Sequence, residues 1–120
     1  MRKVDGKRGE DIALAYLLRK GLKFRDRNWR CGHLEIDLIM EDDTFIHIIE
    51  VKSRTVPFQL APGDSVVRQK QKRIIRATSS YIRRYNVTKE VSFDIVSIVY
   101  YGCGSYKIEY IEGAFFPLYL

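Results

Sequence analysis

The chain has 120 residues, 46% hydrophobic and 30% charged, the ordinary balance of one globular domain (residues 1–120) with a single modest core. A net charge of +6 suits a polyanion, nucleic acid or an anionic membrane surface, but charge alone selects neither. No apolar run approaches the roughly 20 residues of a membrane span. The start, Met1 to Gly6, has no apolar core for a signal peptide. Cys31 and Cys103 form no CxxC and sit near no histidine pair, which argues against zinc and for two reduced thiols in a cytoplasmic protein.

The apolar stripe Ala13, Leu14, Leu17, Leu18 predicts a helix from about Lys7 to Lys20, stopped by Gly21. Phe24 to Trp29 alternates like a strand. Glu35 to Met40 and Phe45 to Lys52 are clearer strands, and the polar turn Glu41 to Thr44 joins them as an antiparallel hairpin. Thr55 to Asp64, with Pro57 and Pro62, reads as a loop. Val67, Ile74, Thr78, Tyr81 and Tyr85 recur at helical spacing, predicting a long helix from Asp64 or Ser65 to Tyr85, closed by Asn86. Val91 to Tyr100 and Tyr106 to Ile111 are two more strands about a Gly-rich turn. The tail from Ala114 to Leu120 is apolar enough to pack on the core or on a partner. The order αβββαββ predicts an α/β fold, a central mixed sheet flanked by helices. Its long helix is a crossover joining parallel strands.

Chemistry concentrates at Glu50-Val51-Lys52, which ends the apolar strand. Strand alternation puts Glu50 and Lys52 on one face, where burial is costly unless charges are paired or metal-bound. A second acidic strand end, Glu35-Ile36-Asp37, lies upstream. Asp37 and Glu50, at corresponding ends of paired strands, are candidate ligands for Mg2+ or Mn2+, which take carboxylate oxygens and keep several waters. Lys52 is placed to steer a water or offset charge on a phosphate. Glu10 shares the apolar face of the first helix, where it either leans over the sheet or complements the helix dipole. Gln71 falls in the apolar stripe of the long helix, to orient a water or carboxylate or to bond backbone within the core.

The same helix carries Arg68, Lys70, Lys72, Arg73, Arg76, Arg83 and Arg84 with almost no acids. With Arg54 these cations suit phosphate contacts; the alternative is a solvated face. His47 alternates away from Glu50 and reads as structural. His33 precedes the acidic strand and is not assigned to the site. The chain has no Ser-His-Asp grouping, Walker-type loop or Gly-x-Gly-x-x-Gly.

Gly9-Glu10-Asp11-x-Ala13-x-x-Tyr16-Leu17, Asn28-Trp29-Arg30, Glu35-Ile36-Asp37-Leu38-Ile39, Glu50-Val51-Lys52-x-Arg54, Lys70-Gln71, Phe93-Asp94-Ile95-Val96 and Ala114-Phe115 occur in this order. Over nearly its whole length the chain resembles the YraN family. That family is grouped by fold with restriction-endonuclease-like PD-(D/E)xK nucleases, and its layout is similar to archaeal Holliday-junction resolvases. The resemblance implies that Asp37 is the motif aspartate, Glu50 its second acid and Lys52 the motif lysine. It also implies that Glu10 is the helix acid of the resolvase-like branch and Gln71 the helix glutamine. Leu34 stands where the family usually has Gly, and no Pro precedes Asp37.

The expectation is a Mg2+- or Mn2+-dependent endonuclease acting on DNA, branched DNA included. The alternative is a nucleic-acid-binding module of the same fold without catalysis. A third reading is an interaction domain that docks a partner, or a second copy, through its apolar tail.

Overall fold

A computed structural model describes residues 3–56 and 68–116. The elements run α1 (Lys3–Arg19), β1 (Lys23–Cys31), β2 (Leu34–Glu41), β3 (Phe45–Thr55), α2 (Arg68–Tyr85), β4 (Glu90–Tyr100) and β5 (Tyr106–Phe115). The order is the expected αβββαββ, with α1 starting four residues earlier than its apolar stripe suggests. Most of the expected loop from Thr55 to Asp64, the start of the long helix with Val67, and the last four tail residues lie outside the described residues.

Both helices end as their sequences ask. Gly21 takes φ 98°, and Leu22 N–H donates to Leu17 O at 3.2 Å. Asn86 takes φ 51°, and Val87 N–H donates to Ile82 O at 3.1 Å. Each is a left-handed cap that uses carbonyls the helix leaves unpaired.

The five strands form one sheet in sequence order, β1-β2-β3-β4-β5. All neighbours are antiparallel except β3 and β4, which run parallel from Phe45 opposite Glu90 to Thr55 opposite Tyr100. A parallel pair requires a crossover, and α2 lies in that connection. Strand alternation then sorts the core into two layers. Ile46 and Ile48 of β3 pack with Ile74, Ala77 and Tyr81 of α2. Ile49 packs with Ala13 and Leu17 of α1. The helices thus cover opposite faces of the sheet. Among the described residues no helix is long and apolar enough to cross a membrane. Ala114 and Phe115 extend β5 beyond its expected end, and Phe115 stacks on Phe93 at 5.1 Å between ring centres. Cys31 and Cys103 are both free thiols.

Two contacts fix how these layers meet. Gly9 is buried in α1 against β3; a Cβ built there would lie 2.1 Å from Ser53 Oγ and 3.4 Å from Ser53 Cβ. His47, 1% exposed, holds β3 to β4 and to the preceding turn. Its Nδ1 is 2.6 Å from Asp94 Oδ2 and its Nε2 is 2.9 Å from Asp42 Oδ2. Ser92 Oγ and Gly113 N–H donate to Asp94 Oδ1, and the Tyr110 hydroxyl donates to Asp94 Oδ2. Every polar atom of the buried aspartate therefore has a donor, the condition for burying a charge without a large penalty. Burial alone would lower the His47 pKa, but the bonds to Asp94 and Asp42 and their charges overcome it and push it up to about 9.

The raised His47 pKa makes its stabilisation complete below about 6.5, its unfolded value, and lost as pH rises through about 9. Thermal melts should show a falling Tm across that window, and His47→Gln should flatten the fall; a pH-independent wild-type Tm there would exclude a charged His47. Replacing Gly9 with Val should cost about 1–3 kcal/mol by overpacking. A smaller Tm loss in the Gly9→Val, Ser53→Gly double variant would locate the strain at that contact.

Candidate functional site

The ladder between β2 and β3 covers only Leu38–Glu41 against Ile46–Ile49. β2 nevertheless begins at Leu34 and β3 continues to Thr55, so the two strands part at Asp37 and Glu50. At the fork, Val51 N–H donates to Asp37 Oδ2 at 2.9 Å, a side chain standing in for the absent ladder partner.

The neighbouring strand β1 is irregular at the same level. In the β1–β2 register Arg27 faces Leu38 and Trp29 faces Ile36, leaving Asn28 opposite Asp37. Asn28 has φ 52°, a left-handed conformation that Asn tolerates better than most residues. Regular alternation fails across this point: Ile36 packs with the α2 layer and Leu38 with the α1 layer. Consequently Glu35 does not join Asp37 as a regular strand would have it. Glu35 is exposed, 3.8 Å from Arg30.

Glu50, 6% exposed, closes the other side of the fork and is ion-paired with Lys70 from the first turn of α2. From the opposite face, Glu10 of α1 adds its charge to the surroundings of Asp37. Arg27 anchors Glu10, with Nε 3.3 Å from Glu10 Oε1 and a second nitrogen 2.7 Å from Asp11. Burial is the largest influence on Asp37 and raises its pKa. The charge of Glu50 raises it further, Val51 N–H and Lys70 oppose, Glu10 adds to the rise, and the outcome is about 7. Thus one carboxyl sits at the edge of ionisation near neutral pH, first because it is taken out of water and second because neighbouring acids crowd it.

The charges of Glu50 and Glu10 therefore both bear on Asp37 at the fork, whereas, among the described residues, the acids that gather with a histidine within 4.8 Å of one another are Asp94 and Glu112 around His47. Lys52 lies two residues past Glu50, on the same strand face and half-buried; Arg54 follows it, lining a concavity with Lys107 and Glu109. Gln71 is half-buried beside Lys70, on a turn of α2 next to the acids. Arg68, Lys70, Lys72, Arg73 and Arg76 are exposed on α2, but Lys70 contacts a protein carboxylate. The sequence pattern gave no hint of that pairing, of the Arg27 clamp on Glu10, or of the turn at Asn28. All three depend on contacts between distant elements.

A model of the uncharacterised protein family UPF0102 matches residues 9–98. A UPF0102 protein of Phocaeicola vulgatus is 42% identical over 115 residues, covering 93% of this chain and 92% of its own. One from Bacteroides fragilis is 38% identical over 112 residues, covering 93% and 92%. One from Porphyromonas gingivalis is 38% identical over 116 residues, covering 96% and 85%. The chain belongs to the UPF0102 family. The UPF0102 match begins at Gly9, which sits against Ser53, and ends at Ile98 in β4. It encloses Glu10, Asp37, Glu50, Lys52 and Gln71, and leaves out β5.

The Asp37 pKa is raised like that of His47, but here the charged form is the one the fold disfavours. A carboxyl with a folded pKa of about 7, against 3.8 unfolded, destabilises the fold increasingly as pH rises between those values. In metal-free buffer at pH 8, Asp37→Asn should therefore stabilise this UPF0102 protein, by about 2 kcal/mol after discounting for solvent screening. At pH 4 the gain should vanish. A destabilised variant at pH 8 would show that the carboxylate is held by more positive charge than the fork provides.

Proposed function

We propose that this protein is a metal-dependent nuclease of the restriction-endonuclease-like, PD-(D/E)xK type, acting on DNA phosphodiester bonds. The observation that carries the reading is the fork itself, where Asp37 and Glu50 meet on parted strands and the Glu10 charge bears on Asp37. A hard divalent cation such as Mg2+ or Mn2+ suits this all-oxygen donor set, and a cation would relieve the repulsion that raises the Asp37 pKa. When bound, such an ion supplies an acidified water and charge to set against the phosphate.

The chain's own residues divide the remaining work. Asp37 and Glu50 hold the ion, and the Val51 N–H fixes the Asp37 carboxylate in place. Lys52 offsets charge developing on the phosphate or orients the water. Glu10, oriented by Arg27, and Gln71 position the water or the acids from opposite faces. Lys70 must release Glu50 for the ion to enter.

That ion pair also favours a second reading, a nucleic-acid-binding module without catalysis. Lys70 already supplies Glu50 with a positive charge, so the fork is partly neutralised without metal.

The two readings separate in one assay. Linear duplex, single-stranded, flapped and four-way DNA are incubated with the protein in EDTA, Mg2+ or Mn2+. The nuclease reading expects metal-dependent cleavage that falls about 100-fold or more in Glu50→Ala and Lys52→Ala. It also expects Mn2+ to raise Tm, by about 2.7 kcal/mol of stability at 100 times Kd, more strongly in Lys70→Ala and not in Asp37→Asn. Failure to cut any substrate, or cleavage indifferent to these variants, leaves the binding module.

A further inference from the structure

Two concavities lie side by side between α2 and the end of the β1–β2 hairpin. One, of about 600 Å³, is lined by Cys31, Gly32, His33, Leu34, Arg73 and Arg76. The other, of about 450 Å³, is lined by Trp29, Arg30, Cys31, Ser80, Arg83 and Arg84. They share Cys31 and follow the length of α2, so together they form one groove.

Its charge is nearly all of one sign. Among the described residues no carboxylate pairs with Arg73, Arg76, Arg83 or Arg84. Arg84 lies over the Tyr85 ring at 5.7 Å. Arg30 has Glu35 at 3.8 Å, both well exposed, an ion pair of little strength. Arginine forks match phosphate oxygens bidentately and give up their hydration more readily than lysine. Trp29 adds an aromatic wall, braced edge-on by Tyr81 at 5.1 Å.

One end of the groove, at Arg73, lies about one helical turn from Lys70 beside the candidate active site. Lys70, which contacts Glu50, opens the same helix whose far end carries Arg83 and Arg84. At 1.5 Å per residue, Lys70 to Arg84 spans about 21 Å. At about 3.4 Å of rise per strand phosphate in stacked nucleic acid, that is room for about six phosphates at most. An unpaired base can stack on the Trp29 wall, whereas the bases of a duplex are already stacked within it. Alternating cations and an aromatic surface are the means by which single strands are held without sequence preference.

We infer that this groove binds a single strand of nucleic acid leading away from the fork. The substrate is then one with a single-stranded arm. The inference rests on the nuclease reading for its direction, and on the groove alone for its chemistry.

Trp29 is the one tryptophan of the chain, so its fluorescence reports directly on the groove. Binding is measured in EDTA, where cleavage plays no part, by Trp29 emission and by anisotropy of labelled oligo-dT, oligo-U and a duplex of equal length, at stepped salt. The expected result is quenching of Trp29 by a single strand and not by the duplex; oligo-dT and oligo-U decide between DNA and RNA. The Arg83→Ala, Arg84→Ala double variant should bind single strands at least fivefold more weakly, with a salt dependence shallower by about 0.7 per lost phosphate contact. Lys23→Ala and Lys107→Ala, exposed cations away from the groove, should match the parent in affinity. Equal weakening by these two, or duplex binding that equals single-strand binding with Trp29 unchanged, overturns the groove. Strand binding that persists in a protein unable to cut leaves the groove standing and removes the nuclease reading. Cleavage that is indifferent to Arg83→Ala, Arg84→Ala does the reverse.

Discussion

The parting of β2 from β3 is the constraint on which the candidate site depends. Continued pairing would have brought Asp37 and Glu50 face to face inside a closed sheet. The ladder stops instead, and the Asp37 carboxylate takes over the backbone N–H that the ladder abandons. The sheet thus exchanges a hydrogen-bonded strand end for an opening between two helices on opposite faces. Glu10 and Lys70 then approach the same point from different layers. A three-layer fold with such a fork has a place for charge where the two strands part between its helices.

Most of the framework was legible in the sequence, and for identifiable reasons. Apolar spacing located both described helices, and Gly21 and Asn86 marked their ends because each adopts a conformation that few residues tolerate. The acidic turn before Phe45 specified the hairpin, and the long interval before β4 specified a parallel neighbour. Lys52 and Glu50 share a face because β3 is regular there. β2 is not regular at Asp37, where Ile36 and Leu38 fall in different layers. The left-handed Asn28 opposite Asp37 lies in a different strand, so no periodicity within β2 could reveal it.

The charged pairs divide in the same way. Arg27 with Glu10 and Lys70 with Glu50 join residues seventeen or more positions apart across separate elements. A run of cations along α2 looks uniform in sequence, yet its members face different surroundings. Lys70 is turned toward a protein carboxylate, whereas Arg73, Arg76, Arg83 and Arg84 open onto the groove beside the hairpin. Uniform composition therefore conceals a division between a cation that neutralises the site and cations free to meet a polyanion.

The buried cluster around His47 has a consequence for strand pairing. Most core contacts between β3 and β4 are aliphatic and would survive a slipped alignment with little loss. The ionic bond between His47 and Asp94 would not. Sliding β4 against β3 by two residues would preserve every inward and outward side chain, yet take Asp94 away from the His47 cation. An unpaired buried carboxylate is penalised far more than an imperfect aliphatic contact. The cluster therefore acts as a key for alignment: it admits one register of the parallel pair and rejects its nearest competitors.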